Sequence, residues 1–271
     1  MARPQRRDAT ARTAPPGVAG RFRWLAAVGL AALACFTVAT LPASLIAGFV
    51  QRSGLSATEY SGSLWSGVAR DVSLRGATLG ELRWRARPLA LLRGRVAADV
   101  TLARPDGSVS AAVAAGFGGE VDLSDLRLDV PLEFIAQIAP GMARDWHGRA
   151  RGTFAGIRLV AGWPVEARGE MDLLALAMPA LRGAAIGSYH LVVPDPQTAS
   201  DGSSSVTARV ADKDGPLAVD ALLTLSPGRS FKFEGTVAPR ADAPPDLARS
   251  LEILGPADAA GRREFGMSGT F

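Results

Sequence analysis

Cysteine and histidine, which supply most disulfides and transition-metal ligands, are scarce in this chain of 271 residues. Cys35 is the only cysteine and lies within an apolar run, which excludes a disulfide framework and a thiolate metal site. His147 and His190 are the only histidines, and their spacing does not form a metal-binding face. We interpret both as ordinary strand residues rather than as catalytic groups.

Catalytic motifs are lacking as well. The sequence contains no glycine-rich phosphate loop, no nucleophile elbow and no zinc-binding helix. Asp122 and Asp125 are close in sequence, but two neighbouring carboxylates are weak evidence for glycosidase geometry, and we interpret them as strand-face or turn residues. We therefore expect no enzyme activity, no cofactor, and no catalytic, cofactor-binding or metal-binding residues.

Lysine is limited to Lys213 and Lys232, so arginine supplies nearly all of the positive charge. Residues 1–23 contain six arginines against one aspartate, which accounts for more than the whole net charge of +4. The other residues contain 24 basic and 25 acidic side chains, and this balance provides no basic surface for a phosphate backbone. We therefore exclude nucleic acid as a partner.

An apolar run extends from Trp24 to Val50 without any Asp, Glu, Lys or Arg. The part before Pro42 is close to the roughly 20 residues that a membrane-spanning helix needs. The arginine-rich side precedes the run, so the positive-inside rule predicts a cytoplasmic N-terminus. The sequence thus predicts a cytoplasmic tail over 1–23, an uncleaved transmembrane anchor over 24–44, and a body on the far side of the membrane.

Two other interpretations of the apolar run stay open. A cleaved secretory signal has possible cleavage sites at Val38-Ala39-Thr40 and Pro42-Ala43-Ser44, but the hydrophobic sequence continues through Phe49. A lipoprotein signal ending at Cys35 fits less well. Leu33 is one position away from where the lipobox of such a signal usually has its leucine, and strongly apolar sequence follows the cysteine. A single anchor explains the length of the run best.

Beyond the apolar run, the hydrophobic period changes to two. Val96, Ala98, Val100 and Leu102 alternate with mostly polar neighbours, which is typical of a strand with one buried face. Similar runs, separated by Gly, Pro or Asp-Gly, predict a meandering antiparallel sheet. The runs are Leu79–Ala86, Ser108–Ala114, Ala150–Leu159, Val165–Leu173, Ile186–Val193, Val206–Val210, Leu217–Leu225 and Phe231–Val237.

The alternation changes phase once, near Ser124-Asp125. Val121 and Leu123 follow one phase, whereas Leu126 and Leu128 follow the other. Because a one-residue slip moves every side chain to the opposite face of a sheet, a turn or bulge is predicted at this point.

Two short helices interrupt the strand pattern, at Pro131–Ala139 and Pro245–Leu254. Each has a proline in its first turn, apolar residues at three-to-four spacing, and a Gly-Pro or Pro-Gly stop. Each is followed by Gly-Arg and then Gly-Thr-Phe, and Trp65-Ser66-Gly67 is echoed by Trp146-His147-Gly148. We therefore predict a mainly β body of two related halves, over 45–140 and 141–271.

Four tryptophans of the body lie close to Gly or Pro in strand contexts. We interpret them as core anchors, with a ligand-stacking surface as the alternative. Leu89-Ala90-Leu91-Leu92 is interpreted as a turn leading into a buried strand, with an exposed partner patch as the alternative. The tryptophans are Trp65, Trp84, Trp146 and Trp163.

Together these features resemble a known family, the type II secretion system protein N family (GspN), over roughly residues 20–271. The most specific part is the section from Gly62 to Trp84. The matching motifs are Gly62-x-Leu64-Trp65-x-Gly67, Leu79-Gly80-x-Leu82-x-Trp84, Pro88-Leu89-x-Leu91-Leu92-x-Gly94, and Leu254-Gly255 with Gly261-Arg262 and Gly269.

The resemblance implies a single-pass component of the bacterial inner membrane with a periplasmic body. Its role would be structural, in the general secretion pathway that exports folded proteins across the outer membrane, and its partners would be the inner membrane and other secretion subunits. The family is also similar to bacterial lipid-handling proteins with long curved sheets. The alternative function is therefore lipid binding or transfer in an apolar groove of a curved antiparallel sheet.

Overall fold

The computed structural model describes residues 54–74, 76–138, 146–177, 185–194 and 205–270. Antiparallel strands make up most of these residues. The tail and the anchor predicted over 1–44 lie outside the described residues. None of the helices within the described ranges has the length and apolar character needed to cross a membrane.

The described residues form fourteen strands, and their bounds agree closely with the alternating runs of the sequence. The strands are β1 (Leu55–Ser56), β2 (Glu59–Gly62), β3 (Ser66–Leu74), β4 (Ala77–Ala86), β5 (Arg95–Arg104), β6 (Gly107–Gly116), β7 (Glu120–Pro131), β8 (His147–Val160), β9 (Trp163–Ala177), β10 (Ala185–Val193), β11 (Val206–Asp214), β12 (Leu217–Ser226), β13 (Ser230–Pro239) and β14 (Arg263–Thr270).

All of these strands belong to one open sheet. From β3 to β14 each strand pairs with the next strand of the chain, and β1 and β2 both pair with the outer side of β3. Every pairing is antiparallel. The prediction of a meandering antiparallel sheet is confirmed.

The sheet is continuous across the predicted boundary near residue 140, because β7 pairs with β8 along its length, from Glu120↔Val160 to Pro131↔Arg149. The two related halves remain a prediction. The later strands are strongly curved, since the indole N–H of Trp163 at the start of β9 donates to the carbonyl of Ser226 at the end of β12 at 2.9 Å. Arg229 likewise donates to the carbonyl of Ala161 at 2.9 Å, so turns that are four strands apart meet.

The predicted slip near Ser124-Asp125 is a β-bulge. Asp125 has a φ of 53°, and the register against β6 shifts between Ser110 and Ala112. The extra residue returns the side chain of Leu126 to the buried face, where it is 9% exposed. The bulge therefore explains how the hydrophobic alternation of β7 can change phase without turning Leu126 to the outer face.

Both predicted helices are present, and Ala139, the predicted end of the first, lies outside the described residues. Helix α1 spans Leu132–Ile138, and helix α2 spans Pro245–Ser250 and continues as a 3₁₀ helix over Leu251–Leu254. Proline begins α2. It costs no hydrogen bond there, because the amide at the first position of a helix has no acceptor within the helix. A further 3₁₀ helix occupies Pro88–Arg93, where the sequence predicted a turn.

The buried side chains form two clusters, which we call the C-terminal cluster and the N-terminal cluster. Helix α1 connects them, because Leu132 belongs to the C-terminal cluster, Phe134 belongs to the N-terminal cluster, and Ile135 contacts both. The C-terminal cluster consists of Leu132, Ala150, Leu176, Ile186, Tyr189, Val210, Leu217, Ala221, Val237 and Leu247. The N-terminal cluster consists of Ala69, Val72, Leu79, Val130 and Phe134.

Candidate functional site

The Gly62–Ala69 stretch forms the turn between β2 and β3 and the first half of β3. Gly67 lies opposite Trp84 of β4, and a Cβ at this glycine would overlap the Trp84 ring. The indole N–H of Trp84 donates to the carbonyl of Leu64 at 3.1 Å. The ring of Trp84 therefore requires a glycine at position 67. Trp65, the tryptophan of the motif itself, lies half-buried in the turn before β3.

None of the four tryptophans is fully buried, so they are not core anchors in the strict sense. Trp84 packs beside the N-terminal cluster and Trp146 beside the C-terminal cluster. Each of these two also lines an open apolar groove, of about 140 Å³ for Trp84 and about 560 Å³ for Trp146. The two rings thus serve as walls, with one side packed and the other side accessible.

The larger groove runs along the curved face of β9 to β14 and is lined by apolar residues. Side chains at alternate positions of each strand point into it, as Val219 and Leu223 do in β12, while Leu222 points to the outer face and is 46% exposed. Rings of Phe233 and Phe265 form an edge-to-face pair at 5.2 Å. The lining consists of Trp146, Leu173, Leu176, Ile186, Tyr189, Leu191, Val210, Leu217, Val219, Leu223, Phe231, Phe233, Val237, Leu254, Phe265, Gly266 and Met267.

Tyr189 brings a hydroxyl into this groove, but the hydroxyl is already used. It donates a hydrogen bond to the carbonyl of Ile186 at 2.8 Å. Burial raises the pKa of Tyr189 to about 12, so the side chain stays neutral at physiological pH. The groove therefore presents an apolar surface without ionised lining residues.

The opposite face of the sheet is highly charged but internally balanced. Arg95 and Arg158 both donate to the carboxylate of Asp122, and the hydrogen bond from Arg95 contributes most to lowering the pKa of that group. Arg149 and Arg151 share Asp129 in the same way. Because cross-strand pairs neutralise these charges, this face is suited to solvent rather than to a polyanion.

The two histidines lie on different strands, and each pairs with a carboxylate. Nδ1 of His147 on β8 is 2.7 Å from Oε1 of Glu133, and Nδ1 of His190 on β10 is 2.7 Å from Oδ1 of Asp172. Asp172 also accepts from Lys213 at 3.0 Å, and the hydrogen bond from His190 is the main reason that the pKa of Asp172 is lowered. Within the described ranges, no group of three or more potential ligands could hold a metal ion.

A second feature, which we call the apolar tip, lies at one end of the sheet. Leu89 and Leu92 of the first 3₁₀ helix are 77% and 84% exposed, and Phe117 in the turn after β6 is 87% exposed. The two loops are neighbours, since a Cβ at Gly94 would lie 3.9 Å from the Phe117 ring. The apolar tip comprises Leu89, Leu91, Leu92, Val96 and Phe117.

The base of the apolar tip is held in place by an ion pair and by the end of the 3₁₀ helix. Arg87 bonds Asp99 on β5 through both carboxylate oxygens, and Gly94 ends the 3₁₀ helix in a left-handed conformation with a φ of 67°. Arg85 and Arg93 have no ion-pair partner among the described residues. The turn predicted at Leu89–Leu92 does lead into β5, but its leucines are exposed, as in the alternative interpretation.

Comparisons with known proteins agree with the motifs. The model of the family described as "Type II secretion system (T2SS), protein N" matches residues 53–266. A protein of Vibrio cholerae named "Type II secretion system protein N" is 27% identical over 225 residues, which cover 80% of this chain and 85% of that protein. A protein of Aeromonas hydrophila with the same name is 27% identical over 263 residues, covering 88% and 94% of the two chains.

No solved structure matches the chain, so the assignment depends on sequence. The matched region includes all of the described strands from β1 to β13, the apolar tip and most of the groove lining. The resemblance seen in the motifs around Gly67 and Trp84 is thereby confirmed. The chain belongs to the type II secretion system protein N family.

Proposed function

We propose that this chain is a structural component of the type II secretion system, anchored in the inner membrane by residues 24–44 with its body in the periplasm. The observation that supports this most strongly is the family match over residues 53–266. The apolar run and the arginine-rich tail support the anchor and its orientation. In this proposal the two halves of the body, 45–140 and 141–271, form one rigid sheet that positions binding surfaces for other subunits.

The apolar tip is the surface that we assign to another secretion subunit. Large apolar side chains that cluster and project into solvent are typical of binding sites. Arg85 and Arg93 flank the leucines and lack ion-pair partners among the described residues. A partner surface with an apolar depression bordered by acidic residues would complement both the shape and the charge.

In vivo photo-crosslinking tests this assignment. We expect a crosslinking amino acid at Leu92 to form adducts with inner-membrane or periplasmic secretion subunits. The same probe at Leu222, which is exposed on the outer face of β12, should form none. If position 92 gave no adduct with any secretion subunit, the proposed contact would be wrong.

Lipid binding is a second candidate function, and the groove of about 560 Å³ favours it. Small-molecule sites commonly measure about 300–1,000 Å³. From Phe231 to Val237 the groove follows six residue steps of β13, or ~20 Å at ~3.4 Å per residue. One leaflet of a bilayer has an apolar thickness of about 15 Å, so a single acyl chain fits the length and the chemistry of the groove.

A matched pair of variants tests lipid binding. Leu223→Trp would fill the groove, whereas Leu222→Trp would place the same ring on the opposite face of the same strand. We expect native mass spectrometry to find bound lipid in the detergent-purified wild type and in Leu222→Trp, and at least fivefold less in Leu223→Trp. A wild type without enriched lipid would contradict this second function and leave the secretion role untouched.

A further inference from the structure

The two edges of the sheet differ in how their backbone is covered. At the first edge, β1 pairs with Ser73 and Leu74 of β3, and β2 pairs with Gly67 to Arg70 of the same strand. At the other edge, β14 pairs with β13 on one side, and no strand among the described residues pairs with its other side. Among the described residues, the backbone donors and acceptors on the outer side of β14 therefore have no strand partner.

Strand β14 lacks most of the features by which natural edge strands avoid pairing. Its eight residues continue the register with β13 without a bulge, from Arg263↔Val237 to Thr270↔Ser230. It contains no proline and no lysine, and Met267 is 58% exposed. Several interior pairings of the sheet do contain register shifts, among them β3 with β4 and β8 with β9. A regular edge of this kind, whose charged residues Arg263 and Glu264 lie together at one end, is a template for an added strand.

We propose that the free edge of β14 binds an extended segment of another protein as an additional antiparallel strand. Main-chain hydrogen bonds would supply the affinity, and side chains at alternate positions would supply the specificity. The inference requires neither the secretion role nor lipid binding, because it follows from the edge itself.

The side chains of β14 define the sequence that such a segment needs. Phe265 and Met267 face the groove, so residues opposite them should be apolar and would extend the groove wall. Glu264 is exposed on the other face and has no ion-pair partner within the described ranges. A lysine or arginine opposite Glu264 would complete a cross-strand ion pair.

A second copy of this chain fits the edge less well. Two β14 strands paired with each other would join only eight residues from each copy. A stable interface usually involves about 20–30 residues from each partner. A short extended segment does not need an interface of that size, because an added strand forms main-chain hydrogen bonds with the edge along its whole length.

A peptide that copies β13 provides a probe, since this strand is the natural antiparallel neighbour of β14. The peptide has the sequence of Ser230–Pro239 with Gly235→Val and Thr236→Lys. If it adopts at the outer edge the register that β13 has with β14, it places valine opposite Phe265 and lysine opposite Glu264. We expect the fluorescein-labelled peptide to bind the detergent-purified full-length chain in a fluorescence polarisation titration. A peptide with methylated amide nitrogens at alternate positions should bind at least tenfold more weakly.

Two proline variants separate edge binding from folding. Successive amides of a strand point to opposite sides, so only one of Met267→Pro and Ser268→Pro removes a donor from the free edge. That variant should keep the melting temperature of the wild type and weaken peptide binding at least tenfold, while the other should lower the melting temperature. Glu264→Lys should weaken binding of the lysine peptide severalfold and strengthen binding of a peptide with Thr236→Glu.

Three results of the binding measurements would overturn the proposal. These are no binding of any peptide, equal binding of the methylated and unmodified peptides, and equal binding by both proline variants. Sedimentation that found a dimer, lost in the variant with the free-edge proline, would show that a second copy occupies the edge instead.

Discussion

Leu132→Ala is expected to lower the free energy of unfolding by about 2–5 kcal/mol. Leu132 is 1% exposed and begins α1, with its Cδ1 packed against Gly148 on β8. It belongs to the C-terminal cluster, while Phe134 two residues later belongs to the N-terminal cluster. Removing its side chain leaves a cavity where the helix meets the sheet. The helix is short and held by packing, so it cannot shift far enough to fill this cavity.

Guanidinium denaturation of the purified chain, followed by tryptophan fluorescence, measures this effect. Leu89→Ala is the matched control, since the same atoms are removed from a side chain that is 77% exposed, and a change within about 0.5 kcal/mol is expected. Leu132→Met, which keeps most of the volume, should cost less than about 1.5 kcal/mol. Equal midpoints for Leu132→Ala and Leu89→Ala would contradict the connecting role of α1.

The largest functional effect is expected from a triple change in the apolar tip, Leu89→Ser with Leu92→Ser and Phe117→Ser. In a strain that lacks the native gene, we expect this variant to reduce secretion of a marker protein into the medium at least tenfold. The reason is that an interface loses most of its affinity when a few projecting apolar side chains are removed. Stability should change little, because none of the three side chains is buried.

Val160→Ser with Leu222→Ser gives a matched control, since both residues are exposed large apolar side chains outside the apolar tip. The control should secrete as the wild type does, and immunoblots of whole cells should show both variants in equal amounts. Normal secretion by the triple variant would refute the contact surface. Loss of secretion in both variants would point to aggregation or misassembly rather than to a specific contact.

The strands could be predicted from the sequence because each has one buried face. The alternating run Phe231–Val237 lies within β13, which spans Ser230–Pro239. The end of β11 could not be predicted in this way, since Asp212, Lys213 and Asp214 break the hydrophobic alternation. Their backbone nevertheless continues to pair, as Asp214 does with Ser188. Backbone pairing extends beyond the buried side chains, whereas a hydrophobic pattern reveals only which side chains are buried.

The candidate binding surfaces depend on tertiary placement and were less accessible from sequence. Three leucines within four residues at Leu89–Leu92 suggest burial, and only their position beyond the end of β4 leaves them exposed. The groove depends on curvature, which in turn depends on contacts such as that between Trp163 and Ser226. No local pattern in either turn predicts that contact, because the two residues are separated by 63 positions.

The strand order has a consequence for the order of folding. From β3 onward, each strand has as its neighbour the strand that precedes it in the chain. During synthesis, which starts at the N-terminus, the chain can therefore add one hairpin at a time to a sheet edge that already exists. Few long loops must close in this process. At every stage one edge is temporarily free, and among the described strands that position passes to β14, which follows the others along the chain.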